Sequence, residues 1–421
     1  MLLWAALTAS LFVYILGFGH NQPWADELEF VPALTGNEPV GPFFLQPHNE
    51  HRLPLPRVIY IALWELTHDF RAGMVLQILM LSGMAYRGMR LAAILRGSPH
   101  WANAFFPLSL LHVGHCENLL MGYQLCFILA AALVWGVLEL ALRSTPENAG
   151  RTALLAALAA LALSLTGGFG IVLAAPVVLW VGLLMASALR PWKLVATGLL
   201  LITIAYCGFY FSTYERPPAH PPFELKNWAA SLQASGQFLA ISSGIGVGPG
   251  WFLALPLLIA ALGWAALSRI HTTGDRLRSL GLAAVALGVI LLSLAIGAGR
   301  GGFGRDDMGL WPRYSALAWP LLAAVYFAAL LGAGPIRRWL PRAVCAASVL
   351  AFVPNTIHGL NYGLGHDAWL KGIARQLRED VAVEAIVESS LQGTGQEARA
   401  LRGIPMLRAA KIGPFAGWNP P

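Results

Sequence analysis

The feature that most limits what this chain can become is a series of long apolar runs without an ionisable residue. Thr152 to Leu165, Ile171 to Leu189 and Leu280 to Ile296 are three of them. Runs near ~20 residues match the ~30 Å hydrocarbon slab of a bilayer at 1.5 Å per helical residue. Transmembrane strands would be about 10 residues long and strictly alternating, whereas these runs are longer and apolar all round, so a barrel is excluded. Only 12% of the 421 residues are charged and 57% are hydrophobic, too few polar side chains to cover a water-facing globule. The expected fold is therefore all-α, a polytopic bundle of about eleven transmembrane helices.

Helices are expected near 2–18, 72–95, 103–116, 122–142, 152–166, 171–188, 194–212, 249–268, 279–297, 314–331 and 343–356. The first run lacks a basic leader and a small-residue cleavage site, so it reads as a retained helix rather than a signal peptide. Val58 to Leu66 is about half the length a crossing needs and is expected to lie in or dip into the outer interface, with Trp64 at headgroup level; the alternative is a short span over Arg57 to Asp69, with one neighbouring helix fewer. Cys116, Cys126, Cys207 and Cys345 sit in or beside apolar runs without metal-type spacing and read as buried thiols.

Alternate connections gather the cations: Arg87, Arg90 and Arg96; Arg143 and Arg151; Arg190 and Lys193; Arg269, Arg276 and Arg278; Arg337, Arg338 and Arg342. That asymmetry marks the cytoplasmic face. The net charge of +7 is spread singly between helices, so nucleic acid is not an expected partner. The opposite connections, 19–57, 213–248 and 298–313, are long and rich in His, Glu, Asn, Pro and aromatics, which is where function is expected. Arg216 to Pro222 reads as a stiff Pro-rich connector, and Thr166 to Gly170 as a turn between helices rather than a nucleotide loop. Residues 1–356 form the expected membrane domain. Residues 357–421 form a tail on the same outer side, with Trp369, Leu370, Ile373, Leu377 and Val381 on one face, suited to lying on the membrane or capping the outer loops.

Four clusters could do chemistry. Asp26, Glu27 and Glu29 stand where the chain leaves the first helix; a carboxylate partly desolvated there can act as a general base, and the alternative is that the acids only complement a helix start. His48, Asn49, Glu50, His51 and Arg52 put acid, base and cation side by side, a weak signature for a transition metal. Glu117 and Asn118, with Gln124 beyond, place an acid between two apolar runs, where it needs a partner such as Arg52 or Arg300, or faces water in a turn. Arg300 and Arg305 in a Gly-rich stretch, then Arg313 and Tyr314, offer forked cations suited to phosphate, or salt bridges to Asp306, Asp307 or Glu117.

With these residues the chain resembles the GT-C class of membrane glycosyltransferases, in which an acidic motif in the first outer loop follows the first helix. Asp26-Glu27 occupies the expected place, and His48 to Arg52, Glu117-Asn118 with Gln124, and Arg313-Tyr314 resemble recurring features of such proteins over about residues 1–355. The resemblance implies transfer of a sugar from a polyprenyl-phosphate donor to a lipid-linked, glycan or protein acceptor at the periplasmic face. Asp26 would be the base, with Glu27 as its alternative, and Arg300 or Arg313 would hold the donor phosphate. A divalent metal, Mg or Mn, is compatible with the class. The acids here are adjacent instead of separated, and no large soluble C-terminal domain follows. The competing readings are a transporter or flippase for a lipid-linked or anionic substrate, and a scaffold without chemistry. Neither broken repeated halves nor midplane charges favour transport.

Overall fold

The computed structural model describes residues 1–186, 189–217, 220–222, 224–270, 276–393 and 395–415. Pro218 and Ala219 of the expected Pro-rich connector, and Ser187 and Ala188 at the end of the span expected over 171–188, lie outside the described residues. Among the described residues the regular elements are helical, apart from a single bridge between His48 and His51. Among the described residues, eight helices are long and apolar enough to cross a membrane, and Leu2–Phe18 and Ala149–Ser164 are shorter apolar helices. The chain is a multi-pass membrane protein with an all-α fold.

The longer helices are α1 (Leu2–Phe18), α2 (Pro54–Thr67), α3 (Ala72–Arg96), α4 (Leu125–Arg143), α5 (Ala149–Ser164), α6 (Gly168–Ala186) and α7 (Arg190–Ser212). They continue with α8 (Trp228–Ala240), α9 (Trp251–Ile270), α10 (Arg276–Arg300), α11 (Ser315–Leu331), α12 (Pro335–Arg378) and α13 (Glu397–Ala410). α11 is buried along most of its length, and Trp319, Tyr326 and Phe327 stack with Phe105, Phe106 and Trp135 to form the aromatic centre of the bundle. At one end of the bundle Glu139 accepts from Arg87, and Arg143 reaches it at 2.8 Å, tying together the basic connections.

Four expectations need correction. The helix expected over 103–116 is broken into short turns, Trp101–Ala104, Phe105–Leu110, Val113–His115 and Cys116–Leu119. His100 and His112 each accept a backbone N–H two residues on, restarting the chain and breaking one apolar run into pieces. Such irregular backbone is tolerated because the stretch is buried inside the protein rather than against lipid. The helix expected over 343–356 is 44 residues long, about 66 Å. Its polar and glycine positions are interhelical contacts rather than a helix end: the Asn355 amide bonds Gly246 N and Ser243 O, and Gly359 lies against Val113. The helix thus runs on through residue 357 into the expected tail. Trp64 is buried against Phe70 with ring centroids 4.4 Å apart, not presented to headgroups. Finally, the connection 213–248 is not a loop throughout: it contains α8, which packs along α10.

One close crossing fixes the site. A Cβ on Gly73 would lie 2.5 Å from the Gly122 carbonyl oxygen, and one on Gly122 would lie 2.5 Å from the Phe70 oxygen. The start of α3 thus touches the turn that presents Tyr123 and Gln124, and no larger side chain fits there.

Candidate functional site

The three acids of the first loop are separated by local geometry. Ala25–Phe30 is a 3₁₀ turn, entered through Ala25 at φ 49. Three residues per turn eclipse positions i and i+3, so Asp26 and Glu29 share one side while Glu27 turns away. Asp26 and Glu29 both meet His48: its Nε2 is 3.5 Å from Asp26 Oδ1, and its Nδ1 pairs with Glu29. Glu27 is fully buried, accepting from the Tyr60 hydroxyl at 2.6 Å and from Tyr123 N at 3.2 Å. It locks the loop onto α2 and the 122–124 turn, and does not line the cavity described below.

The second cluster is a tight reverse turn. His48 and His51 exchange backbone hydrogen bonds of 2.6 and 2.8 Å, with Asn49 left-handed at φ 50, a conformation Asn tolerates. The turn sends His48 towards Asp26 and the Glu50–His51 pair towards the bundle. There Glu50 is 3.3 Å from His220, 3.6 Å from His51 and 3.6 Å from Arg300. Tyr210 joins this group, its hydroxyl 3.1 Å from His51 Nδ1. Glu117 pairs with Arg313, not with Arg52 or Arg300: Arg313 Nη1 donates at 2.9 Å and its guanidinium lies over the Trp311 ring at 4.1 Å. Asn118 donates to the Arg313 carbonyl at 3.3 Å.

These groups surround one cavity of about 840 Å³. Asp26, His48, Glu50, His51, Glu117, Gln124, Arg300, Arg313 and Tyr314 all line it, so most of the residues expected from sequence share one space. Its other wall is apolar, formed by Phe127, Phe169, Val172, Leu292, Ile296 and Leu317. Phe169 stands in the first turn of α6, which starts at Gly168 within the stretch expected as a turn and thereby shapes the site. Among the described residues, the Tyr123 hydroxyl and Gln124 Oε1 are buried with no partner inside the protein.

Several expected residues stand elsewhere. Arg52 is held outside the cavity by Thr213 and the Leu45 carbonyl. Arg305 is exposed and paired with Asp307 at 2.9 Å. Glu29 and Asn118 support the wall from behind. Conversely, Tyr210, His220 and Arg399 line the cavity and Arg57 backs it through Glu29, and none of the four belongs to the clusters read from the sequence. Arg57 is fully buried, donating to Glu29 at 2.7 Å and to the Gln46 carbonyl at 2.7 Å. Arg399, on α13, donates to Asp26 Oδ1 at 2.8 Å. The sequence signal for Arg57 is a cation at the start of an interfacial helix; nothing local marks Arg399.

The charges are strongly coupled. Burial pushes the Asp26 carboxyl up, but His48, Arg399 and Arg313 outweigh it and hold the group below the usual carboxylate range. Burial pushes His48 down, yet Asp26 and Glu29 raise it to about 9, so it is cationic at neutral pH. Burial raises Glu27 to about 7 and lowers His51 to about 4, against the pull of Glu50. The cavity thus presents an ionised Asp26 beside several fixed cations. Among the described residues, no group of three or more His, Cys, Asp or Glu side chains is placed to hold a metal ion. Compared with protein-family models, curated proteins and solved structures, the chain matches none.

Proposed function

We propose that this protein is an inverting glycosyltransferase that moves a sugar from a polyprenyl-phosphate donor to a lipid-linked, glycan or protein acceptor. The observation behind this reading is the sharing of one cavity by the ionised Asp26 carboxylate, the Arg300 and Arg313 guanidinium groups and an apolar wall. A carboxylate alone would suit many hydrolytic or binding roles, and arginines alone would suit any anion. Their combination with an apolar wall suits an amphiphile whose phosphate is the leaving group. In the reaction, the acceptor hydroxyl oxygen bonds to the anomeric carbon as the sugar–phosphate C–O bond breaks. The hydroxyl proton passes to Asp26, and the electron pair leaves with the phosphate, whose growing charge Arg313 and Arg300 stabilise.

His48 keeps Asp26 ionised and fixes its orientation, and Glu29 with Arg57 fixes His48 in turn. In this reading the eight long apolar helices, the two shorter ones and the broken 101–119 stretch make about eleven crossings. The Arg-rich connections then lie in the cytoplasm and the cavity opens at the periplasmic face of the inner membrane.

Proteoliposomes holding the purified protein and sugar-labelled bacterial lipid extract separate this reading from transport. Transfer moves label from the phosphate-linked fraction into a second, acid-stable fraction. Redistribution of intact label between leaflets, with no new linkage, would replace the enzyme by a flippase.

A further inference from the structure

The site's least expected member comes from the far end of the chain. Arg399 sits in the first turn of α13, and α13 buries Ala400, Gly403, Ile404 and Leu407 against the first outer loop. Further ties hold this segment down: Arg402 pairs with Glu38, and Gly413 sits beside Pro23 and Phe70. The tail is therefore anchored on the loop that bears the acids, and Gly395, Gln396 and Arg399 form part of the cavity wall. Terminal packing alone explains Ile404 and Leu407. It does not explain a guanidinium reaching into a substrate-sized space.

The contacts of Arg399 are specific. Nη1 donates to Asp26 Oδ1 at 2.8 Å, Nη2 donates to Asn49 Oδ1 at 3.0 Å, and Nη2 stands 3.6 Å from Glu29. The oxygen it holds is the one His48 faces at 3.5 Å. A carboxylate oxygen bonded to a guanidinium is a poor proton acceptor until that bond opens. About a quarter of the Arg399 side chain is exposed, so an anion can reach it. Its fork can turn from one carboxylate to a phosphate without losing its charge-assisted hydrogen bonds. His48 stays behind to keep Asp26 ionised.

Resting on the glycosyltransferase reading, we propose that Arg399 is a switch supplied by the C-terminal helix: it masks Asp26 in the empty site and is drawn off by the phosphate of the incoming lipid-linked donor, which frees the base. Donor binding and exposure of the base are then one event. The hydroxyl acceptor meets an active carboxylate only when the donor is in place, which protects against proton transfer without a sugar to receive the oxygen.

The test is a double-mutant cycle on phosphate binding by the full-length protein in detergent, with farnesyl phosphate as probe and farnesol as the neutral control. Arg399→Ala is expected to weaken farnesyl phosphate by roughly tenfold or more and to leave farnesol unchanged. Arg399→Lys recovers part of the loss. Asp26→Asn releases Arg399 and tightens farnesyl phosphate several-fold, a gain that disappears in the Arg399→Ala background. If Asp26→Asn tightens binding equally in both backgrounds, the carboxylate only repels the phosphate and there is no switch. If Arg399→Ala unfolds the protein, Asp26→Asn with Arg399 intact still decides: unchanged affinity overturns the proposal. Failure of the wild type to prefer farnesyl phosphate over farnesol would overturn the donor reading as well. Loss of the switch with binding retained would overturn the switch alone.

Discussion

Replacing His48 with Gln probes the electrostatic frame of the site. His48 is almost fully buried, and its neighbours raise it from 6.5 to about 9. At 1.36 kcal/mol per unit, that shift is worth about 3 kcal/mol of stability. A base with a raised folded-state value contributes fully below the unfolded value near 6.5, and the contribution is lost as pH rises through 9. The other shifted groups of the loop titrate elsewhere. His51, lowered to about 4, acts between 4 and 6.5; Glu27, raised to about 7, levels off above 7; Asp26, Glu29 and Glu50 are all lowered into the acid range. The window from pH 7 to 9 therefore belongs to His48. Unfolding midpoints of wild type and His48→Gln in detergent, followed by intrinsic tryptophan fluorescence, should differ most near pH 6.5 and converge above pH 9. A gap that stays constant from pH 7 to 9 would refute the charged triad of Asp26, His48 and Glu29.

Two further substitutions test the supports. Arg57→Met leaves Glu29 and the Phe43 and Gln46 carbonyls without their buried donor, so a loss of about 3 to 5 kcal/mol is expected in chemical unfolding; a loss under about 1 kcal/mol would mean that the loop is held otherwise. Gly122→Ala forces a methyl group against the Phe70 carbonyl and should cost about 1 to 3 kcal/mol, read as a lower thermal midpoint, whereas Gly83→Ala, where nothing lies within 4 Å, should cost nothing measurable.

What the sequence disclosed follows from the range of the physics involved. Apolar runs report lipid-facing or buried helices residue by residue, so α3, α6, α7, α9, α10 and α11 lie where hydropathy places them. The same property fails over 101–119, where burial against α3, α11 and α12 lets irregular backbone be as apolar as a helix. It fails again at Asn355 and Gly359, whose polarity serves a neighbouring helix and not an exposed end. In the site, local density revealed Asp26, His48 and Glu50. The choice among Asp26, Glu27 and Glu29 needed the 3₁₀ geometry, which no apolar period announces. Glu27 is buried with Tyr60 and Tyr123, and these partners come from distant segments. Arg399 meets Asp26 across 373 positions of chain, a pairing set by tertiary packing and invisible to any local pattern.

The most direct measurement is the turnover of Asp26→Asn at saturating lipid-phosphate sugar donor, beside wild type and Glu27→Gln. If Asp26 is the base, turnover falls by roughly 10² to 10⁴-fold with KM for the donor no higher than in wild type, and Glu27→Gln stays active. Turnover of Asp26→Asn within a few-fold of wild type, or a loss that follows Glu27→Gln instead, would contradict the assignment.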